Sequence, residues 1–156
     1  MNTVATDILD LDVPDWAEHQ AALLRRHAAG ECVEGIDWTN IAGQIELIAK
    51  SEVAAFRSLL TAALQHLLKA HALAGHPARV HWLLEAETFL EQARDVFSPS
   101  MARRIDLARI YSRARRLVLI DYPQADARRM PEDCPFGLAE LVETTPDGPA
   151  LLARLG

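Results

Sequence analysis

Residues 38–74 read WTNIAGQIELIAKSEVAAFRSLLTAALQHLLKAHALA and contain no proline and a single glycine. Their apolar residues recur every three or four positions, which places them on one broad face of an α-helix. These residues are Ile41, Ile45, Ile48, Val53, Phe56, Leu59, Leu60, Ala63, Leu64, Leu67 and Leu68. At about 1.5 Å per residue, such a helix is roughly 50 Å long. The pattern predicts a long helix that forms the spine of a helical bundle.

Three further helices are predicted around this spine. The first covers about residues 12–29, because Asp12 can cap its open N–H groups and Pro14 fits the first turn. The next covers about residues 77–97, and the last covers residues 99–122, between the Ser98-Pro99 junction and the next proline. No stretch alternates apolar and polar residues over a strand length, so no β-strand is predicted.

The chain is therefore predicted to be a single all-α domain over residues 1–156. Four main helices built on the long central one form its core, about residues 12–122. Residues 123–156 are expected to be an irregular proline-rich tail with one short helical turn at residues 138–142. Half of the residues are apolar and a quarter are charged, as in globular rather than disordered chains. A chain of 156 residues can also bury a core of ordinary size.

The sequence carries no targeting or membrane signal. Residues 1–15 lack the basic segment and the apolar block of a secretory signal peptide. The longest charge-free stretch, residues 58–68, is too short to span a bilayer. Cys32 and Cys134 have no metal-type spacing and are expected to be idle thiols, although a disulfide between them stays open. We expect a cytoplasmic protein without a membrane partner.

Residues spread along most of the chain resemble a known family in their order and spacing. They are Trp16, Gln20, Leu23, Leu24 and Arg25; Asp37, Asn40, Ile41, Ile45, Glu46, Ile48, Lys50, Ser51 and Glu52; His66-Leu67-Leu68-Lys69, Trp82 and Ser98-Pro99-Ser100-Met101; and Tyr111, Ala114, Arg115, Pro131, Cys134, Pro135 and Phe136. Together they resemble the bacterial helical family catalogued as domain of unknown function number twenty-nine, over residues 12–141. Two places depart from its pattern, Ala70 and residues 121–130. The resemblance implies an all-helical fold and supplies no activity.

Five polar residues of the long helix form a candidate site. They are Glu46, Ser51, Glu52, His66 and Lys69. Glu52 and His66 lie about 21 Å apart along a helix, so a shared site needs another helix or a partner subunit. Metal sites in helical bundles use Glu-x-x-His or His-x-x-x-His pairs, which this helix lacks, so no metal or cofactor is expected. The favoured alternative is that His66 is hydrogen-bonded in the core and that Glu46 and Glu52 form ion pairs with Lys50, Arg57 or another helix.

Two other sets of residues invite a chemical interpretation. His71, His76 and His81 could cluster at the turn around residues 75–77, but we expect them to be simple surface histidines. Cys134 follows an aspartate, whose charge raises a thiol pKa and disfavours a nucleophile. We expect Cys134 to pack the tail instead, with Phe136 as its plug.

The one basic concentration lies on the fourth helix. Arg109, Arg113 and Arg116 form a row beside its apolar face. This candidate basic patch could grip phosphate or an acidic helix. It could also pair with residues 1–52 of the same chain or of another subunit, which hold ten acidic and three basic side chains, a net charge of −7. A net charge of −6 for the whole chain argues against nucleic-acid binding.

The sequence therefore favours a non-catalytic protein-interaction module over an enzyme. Its helices are strongly amphipathic, its charge is unevenly divided, and no catalytic signature is intact. The expected partner is another protein or a second copy of the chain. The alternative is an enzyme or metal-dependent protein with a site near Glu46, Glu52 and His66.

Overall fold

The computed structural model describes residues 12–156, and the chain divides into two compact units, Met1–Lys50 and Ser51–Gly156. Predictions about residues 1–11 lie outside the described part. The helices, in order, are α1 (Val13–Ala28), α2 (Trp38–Ala72), α3 (Arg79–Val96), α4 (Pro99–Ala102), α5 (Leu107–Asp121), a 3-10 turn (Ala127–Arg129), α6 (Leu138–Val142) and α7 (Gly148–Arg154).

The all-α prediction is confirmed, since residues 12–156 contain no strand. The long helix is confirmed as well, and it ends two residues before the predicted end. The single domain stays a prediction. None of the described helices combines the length and the apolar character that a bilayer crossing requires.

One buried glutamine organises the first unit. The Gln20 side chain on α1 donates from Nε2 to the carbonyl of Gly35 at 3.3 Å and accepts from the N–H of Asp37 at 2.9 Å. Gly35 has a φ of +85°, a conformation that other L-residues rarely adopt. Gln20 thus ties the connector between α1 and α2 back onto α1.

Asp37 caps the start of α2. Its Oδ1 accepts from the N–H of Asn40 at 3.2 Å, and its Oδ2 accepts from Nδ2 of Asn40 at 2.7 Å. These bonds to the charged carboxylate, together with one from Trp16, lower the pKa of Asp37. Only Gln20 and Leu23 are buried among residues 12–50. Hydrogen bonds rather than an apolar core therefore connect the described residues of this unit.

The second unit contains the hydrophobic core. The C-terminal half of α2 supplies five large side chains that are fully buried, and α3 and α5 supply the facing ones. From α2 these are Phe56, Leu60, Leu64, Leu67 and Leu68, and from α3 and α5 they are chiefly Leu90, Tyr111 and Val118. The short helices α6 and α7 pack against α3.

The prediction of one continuous helix over residues 99–122 was wrong. It is divided into α4 and α5, because Asp106 leaves the helical conformation and caps α5. Its Oδ1 accepts from the N–H of Arg109 at 3.0 Å. The apolar periodicity continues across this break, so only the position of the aspartate signals it.

The tail is more ordered than predicted. The turn at residues 138–142 is confirmed as α6, but α7 was not predicted. Asp147 caps α7 through the N–H of Ala150 at 2.9 Å, and Pro149 lies in its first turn, a start signal that the sequence does contain. Tail residues also complete the core of the second unit. The buried ones are Ala125, Met130, Phe136, Leu141, Val142, Leu151, Leu152 and Leu155.

Two side chains of α5 hold the loop that leads into the tail. The Tyr111 hydroxyl donates to the carbonyl of Pro131 at 2.9 Å. Arg115 donates to the carbonyls of Met130 at 3.3 Å and Ala127 at 3.1 Å. Burial, and then the nearby Cys134, raise the pKa of Tyr111 to about 12. The phenol therefore stays protonated in the folded protein beyond the range in which it ionises in an unfolded chain.

Tyr111→Phe is expected to lower the free energy of unfolding by about 1 kcal/mol at pH 8, because it removes one buried hydrogen bond. An unfolded tyrosine ionises near pH 10, whereas folded Tyr111 ionises only near 12. The wild type therefore loses stability as the pH rises above about 10, and the deficit of the variant shrinks there. Urea unfolding at pH 8 and pH 10.5 measures both effects. Tyr122→Phe is the matched control, and equal stability of wild type and Tyr111→Phe at pH 8 would contradict this role.

Candidate functional site

The structure does not gather the five residues of the predicted polar site. Glu46 lies in the first unit, exposed, with its Oε2 3.8 Å from Nζ of Lys50, which confirms that expected ion pair. Ser51 and Glu52 are exposed at the start of the second unit. Glu52 and His66 are separated by about 21 Å along α2. Within residues 12–156, no three His, Cys, Asp or Glu side chains lie close enough together to hold a metal ion.

His66 is half-buried and has an unsatisfied nitrogen. Its Nδ1 is buried and has no hydrogen-bond partner among the described residues, contrary to the hydrogen-bonded core histidine expected from the sequence. Its ring lies 5.6 Å from the ring of Phe89. Burial lowers the pKa of His66, and the charge of Lys69 lowers it further. Both effects favour the neutral form of the His66 imidazole.

Lys69 belongs to an aromatic cluster. Its Nζ lies 3.7 Å from a carboxylate oxygen of Asp121 and 5.2 Å from the centre of the Tyr122 ring. The rings of Trp82 and His76 stack at 4.5 Å, and Tyr122 meets both of them edge-on. The side chain of Lys69 is only 14% exposed. Lys69 thus joins the C-terminal part of α2 to the end of α5, which is a structural role.

The three histidines around that turn do not share a site. The Nε2 of His71 lies 2.7 Å from the carbonyl oxygen of Arg129, so this nitrogen carries the proton and donates. The Nδ1 of His76 accepts from the N–H of Ala78 at 3.1 Å. His81 is exposed on α3. Backbone partners occupy one ring nitrogen of His71 and one of His76. Within residues 12–156 these histidines belong to no group of three side chains that could hold a metal ion.

The cysteines are free thiols, as expected. Cys134 is half-buried, and its Sγ donates to the carbonyl of Phe136 at 3.7 Å. Burial raises the pKa of Cys134. Phe136 itself is buried in the core, which agrees with its expected role as a plug.

Two of the three residues of the basic patch line a groove between α2 and α5. The groove has a volume of about 560 Å³ and includes Arg109 and Arg113 but not Arg116. Arg57 from α2 and Arg104 from the segment before α5 complete a set of four arginines. None of the four has a carboxylate within 4.0 Å in the described part of the chain. We call these residues the arginine groove. Sequence reasoning missed Arg57 and Arg104, because only the packing of α2 beside α5 brings them to this place.

A second surface feature lies on the N-terminal half of α2. Trp38, Ile41, Ile45 and Ile48, which we call the apolar stripe, fall within an arc of about 80° on the helix. Trp38 is 57% exposed, Ile45 62% and Ile48 62%, whereas Ile41 is half-buried. Large side chains on one arc of a helix normally face a core or a partner.

Comparison with known proteins places the chain in a family. The model described as "Domain of unknown function DUF29" matches residues 8–145. The chain belongs to this family. No match was found among curated proteins. The chain is also similar to the crystal structure of an alpha-helical protein of unknown function from Rhodospirillum rubrum, with a TM-score of 0.73 and 23% identity. The match covers 97% of this chain and 99% of that one, and it shows a shared fold.

His66→Leu is expected to leave the protein at least as stable as the wild type at pH 7.5, because it removes a buried polar atom without a partner. The folded pKa of His66 lies below its ordinary value. Below about pH 6.5 the unfolded chain therefore binds a proton that the folded chain does not. The free energy of unfolding consequently decreases as the pH is lowered. The variant should lose less stability between pH 7.5 and 5 in urea unfolding. His19→Gln, at an exposed histidine, is the control, and an acid response of His66→Leu equal to that of the wild type would refute the assignment.

Proposed function

We propose that the protein is a non-catalytic interaction module that pairs with a second copy of itself through the apolar stripe. The observation that supports this proposal is the exposure of Trp38, Ile45 and Ile48 on one arc of α2. Each of these side chains leaves more than half of its surface in water. Burying a large apolar side chain contributes about 1.5–3 kcal/mol, so covering the stripe would stabilise a complex substantially.

Residues 12–50 bury little apolar surface among themselves. Gln20 and Leu23 are the only buried residues between 12 and 50. Two helices that bury only these two residues within the described part of the first unit gain little stability from packing, since most helical stability comes from packing an apolar face. A partner that covers the stripe would supply that packing.

The stripe also continues a face that is a core elsewhere on the same helix. Phe56 follows Trp38 by about five full turns at 3.6 residues per turn, so both side chains project from the same side of α2. In the second unit this face is completely buried at Phe56, Ala63 and Leu67. The N-terminal half of α2 thus carries the same pattern as the buried half, with its largest side chains left open to solvent.

The charges around the stripe favour a second copy as the partner. Residues 38–50 contain only two charged side chains, Glu46 and Lys50, and these pair with each other. Two such segments can therefore meet without like-charge repulsion, and two-fold symmetry makes identical patches self-complementary. Two helical hairpins that join in this way form a four-helix arrangement with an apolar centre.

Ile45→Gln is expected to weaken self-association, because the change places an amide in the centre of the proposed interface twice per dimer. The dissociation constant should rise by at least about tenfold, as a loss of 1.4 kcal/mol or more implies. Sedimentation equilibrium over a range of protein concentrations measures it. Ile120→Gln is the matched control, because Ile120 is 61% exposed on a different helix, and this variant should associate like the wild type.

Two results would contradict the proposal. The first is a wild-type protein that stays monomeric at the highest soluble concentration. The second is a dimer that Ile45→Gln and Ile120→Gln weaken equally. Circular dichroism of both variants checks that each remains folded, as exposed positions should allow.

A further inference from the structure

We infer that the arginine groove is a binding site for a small organic ligand that carries several phosphate groups. Arg57, Arg104, Arg109 and Arg113 line this groove, and Asp106 is the one acidic residue of the lining within residues 12–156. Four positive charges and one negative charge leave a net of +3 in a chain whose net charge is −6. The groove lies wholly within the second unit.

The helical register explains why these side chains meet. Arg109 and Arg113 are four positions apart on α5, so they project from one face about 6 Å apart along the axis. The residues that face them from α2 also recur every three or four positions, namely Ala54, Arg57, Ser58, Thr61, Ala62 and Gln65. Two helix faces thus form opposite walls with arginines on each.

Within residues 12–156, no carboxylate lies within 4.0 Å of the four groove arginines. The other arginines that form side-chain bonds do so with nearby oxygen atoms, such as Arg26 with Glu31 at 2.8 Å and Arg154 with Glu140 at 2.7 Å. In the groove, Asp106 already accepts from the N–H of Arg109 to cap α5 and lies beyond 4.0 Å from every guanidinium nitrogen. Like charges that face each other without a counter-charge repel, and a bound anion relieves that repulsion.

The two hydroxyl groups of the groove are not available to donate hydrogen bonds to a ligand. The Ser58 hydroxyl donates to the carbonyl of Ala54 at 3.0 Å, and the Thr61 hydroxyl donates to the carbonyl of Arg57 at 2.8 Å. Each hydroxyl has a single proton, so neither has one left for an anion. The remaining donors are the guanidinium groups and the amide of Gln65. Guanidinium groups match phosphate oxygens in a two-point geometry, which makes phosphate the anion that this set suits best.

Size and lining favour a small ligand over a macromolecule. A volume of about 560 Å³ falls in the range of about 300–1,000 Å³ that is typical of small-molecule sites. Ile110, Leu117 and two alanines offer apolar contact to an organic body beside the charges. No aromatic side chain lines the groove to anchor a protein partner or stack a base. The acidic balance of the whole chain also disfavours a nucleic-acid backbone.

The test is isothermal titration of the full-length protein with inorganic tripolyphosphate and with a nucleoside triphosphate, at low and at physiological ionic strength. Binding of either phosphate compound is expected, and added salt should weaken it. Replacing both Arg57 and Arg113 by glutamine should weaken binding by at least about tenfold, since charge-assisted hydrogen bonds are the stronger class. Tighter binding of the nucleoside triphosphate than of tripolyphosphate would support an organic body in the groove.

Arg116→Gln is the matched control. It removes the same charge from the same helix, but Arg116 is exposed and does not line the groove. This variant should bind within about twofold of the wild type if binding depends on direct contact rather than on overall charge. All of the altered arginines are exposed, so the variants should keep their fold, which circular dichroism verifies.

Three results would overturn the inference. They are no binding of either phosphate compound at low ionic strength, equal losses in the groove variant and in Arg116→Gln, and binding of a polyglutamate peptide or of RNA without binding of the small phosphates. Phosphate binding is tested with residues of the arginine groove, none of which belongs to the apolar stripe. Failure of the proposed self-association would therefore leave this inference intact, and the reverse is also true.

Discussion

The continuous apolar face of α2 is the constraint on which the rest of the structure depends. In the C-terminal half of the helix, this face supplies the centre of a core that α3 and α5 complete. In the N-terminal half, the same face carries Trp38, Ile45 and Ile48 into solvent. Apolar burial is the main favourable term in folding, and within residues 12–156 only the C-terminal half of this face is buried. The proposed self-association follows from that difference.

Hydrogen bonds position the segments that the apolar face does not reach. Gln20 and Asp37 fix the connector before α2, and both act through backbone groups that would otherwise lack partners. Tyr111 and Arg115 do the same for the loop after α5. These polar contacts set the ends of helices. They also explain why several residues that resemble family positions are structural in this protein.

The helices could be predicted from the sequence where an apolar period or a capping residue marks them. The period of α2 and the cap at Asp12 both hold in the structure. The break before α5 could not be predicted from periodicity, because Asp106 interrupts the helix without interrupting the apolar pattern. The helix α7 carried a local start signal at Asp147 and Pro149, but the proline content of the tail favoured an irregular interpretation.

The candidate sites were less predictable, because they depend on packing between distant segments. Arg109 and Arg113 form a row in the sequence, whereas Arg57 lies on α2, which ends thirty-five residues before α5 begins. Only the structure shows that Arg57 lines the same groove. The reverse holds for Glu52 and His66, which share a side of α2 in projection but stay far apart along its axis. Burial without a partner, as at His66 Nδ1, also has no sequence signal.

Hydrogen–deuterium exchange along α2, measured at low and at high protein concentration, tests the central claim most directly. The account predicts that amides of residues 56–72 are protected at both concentrations, because the chain itself covers that half of the helix. Amides of residues 38–50 should exchange fast in dilute solution and gain protection as the concentration rises, since amide protection follows local stability. Equal, concentration-independent protection of both halves would contradict it.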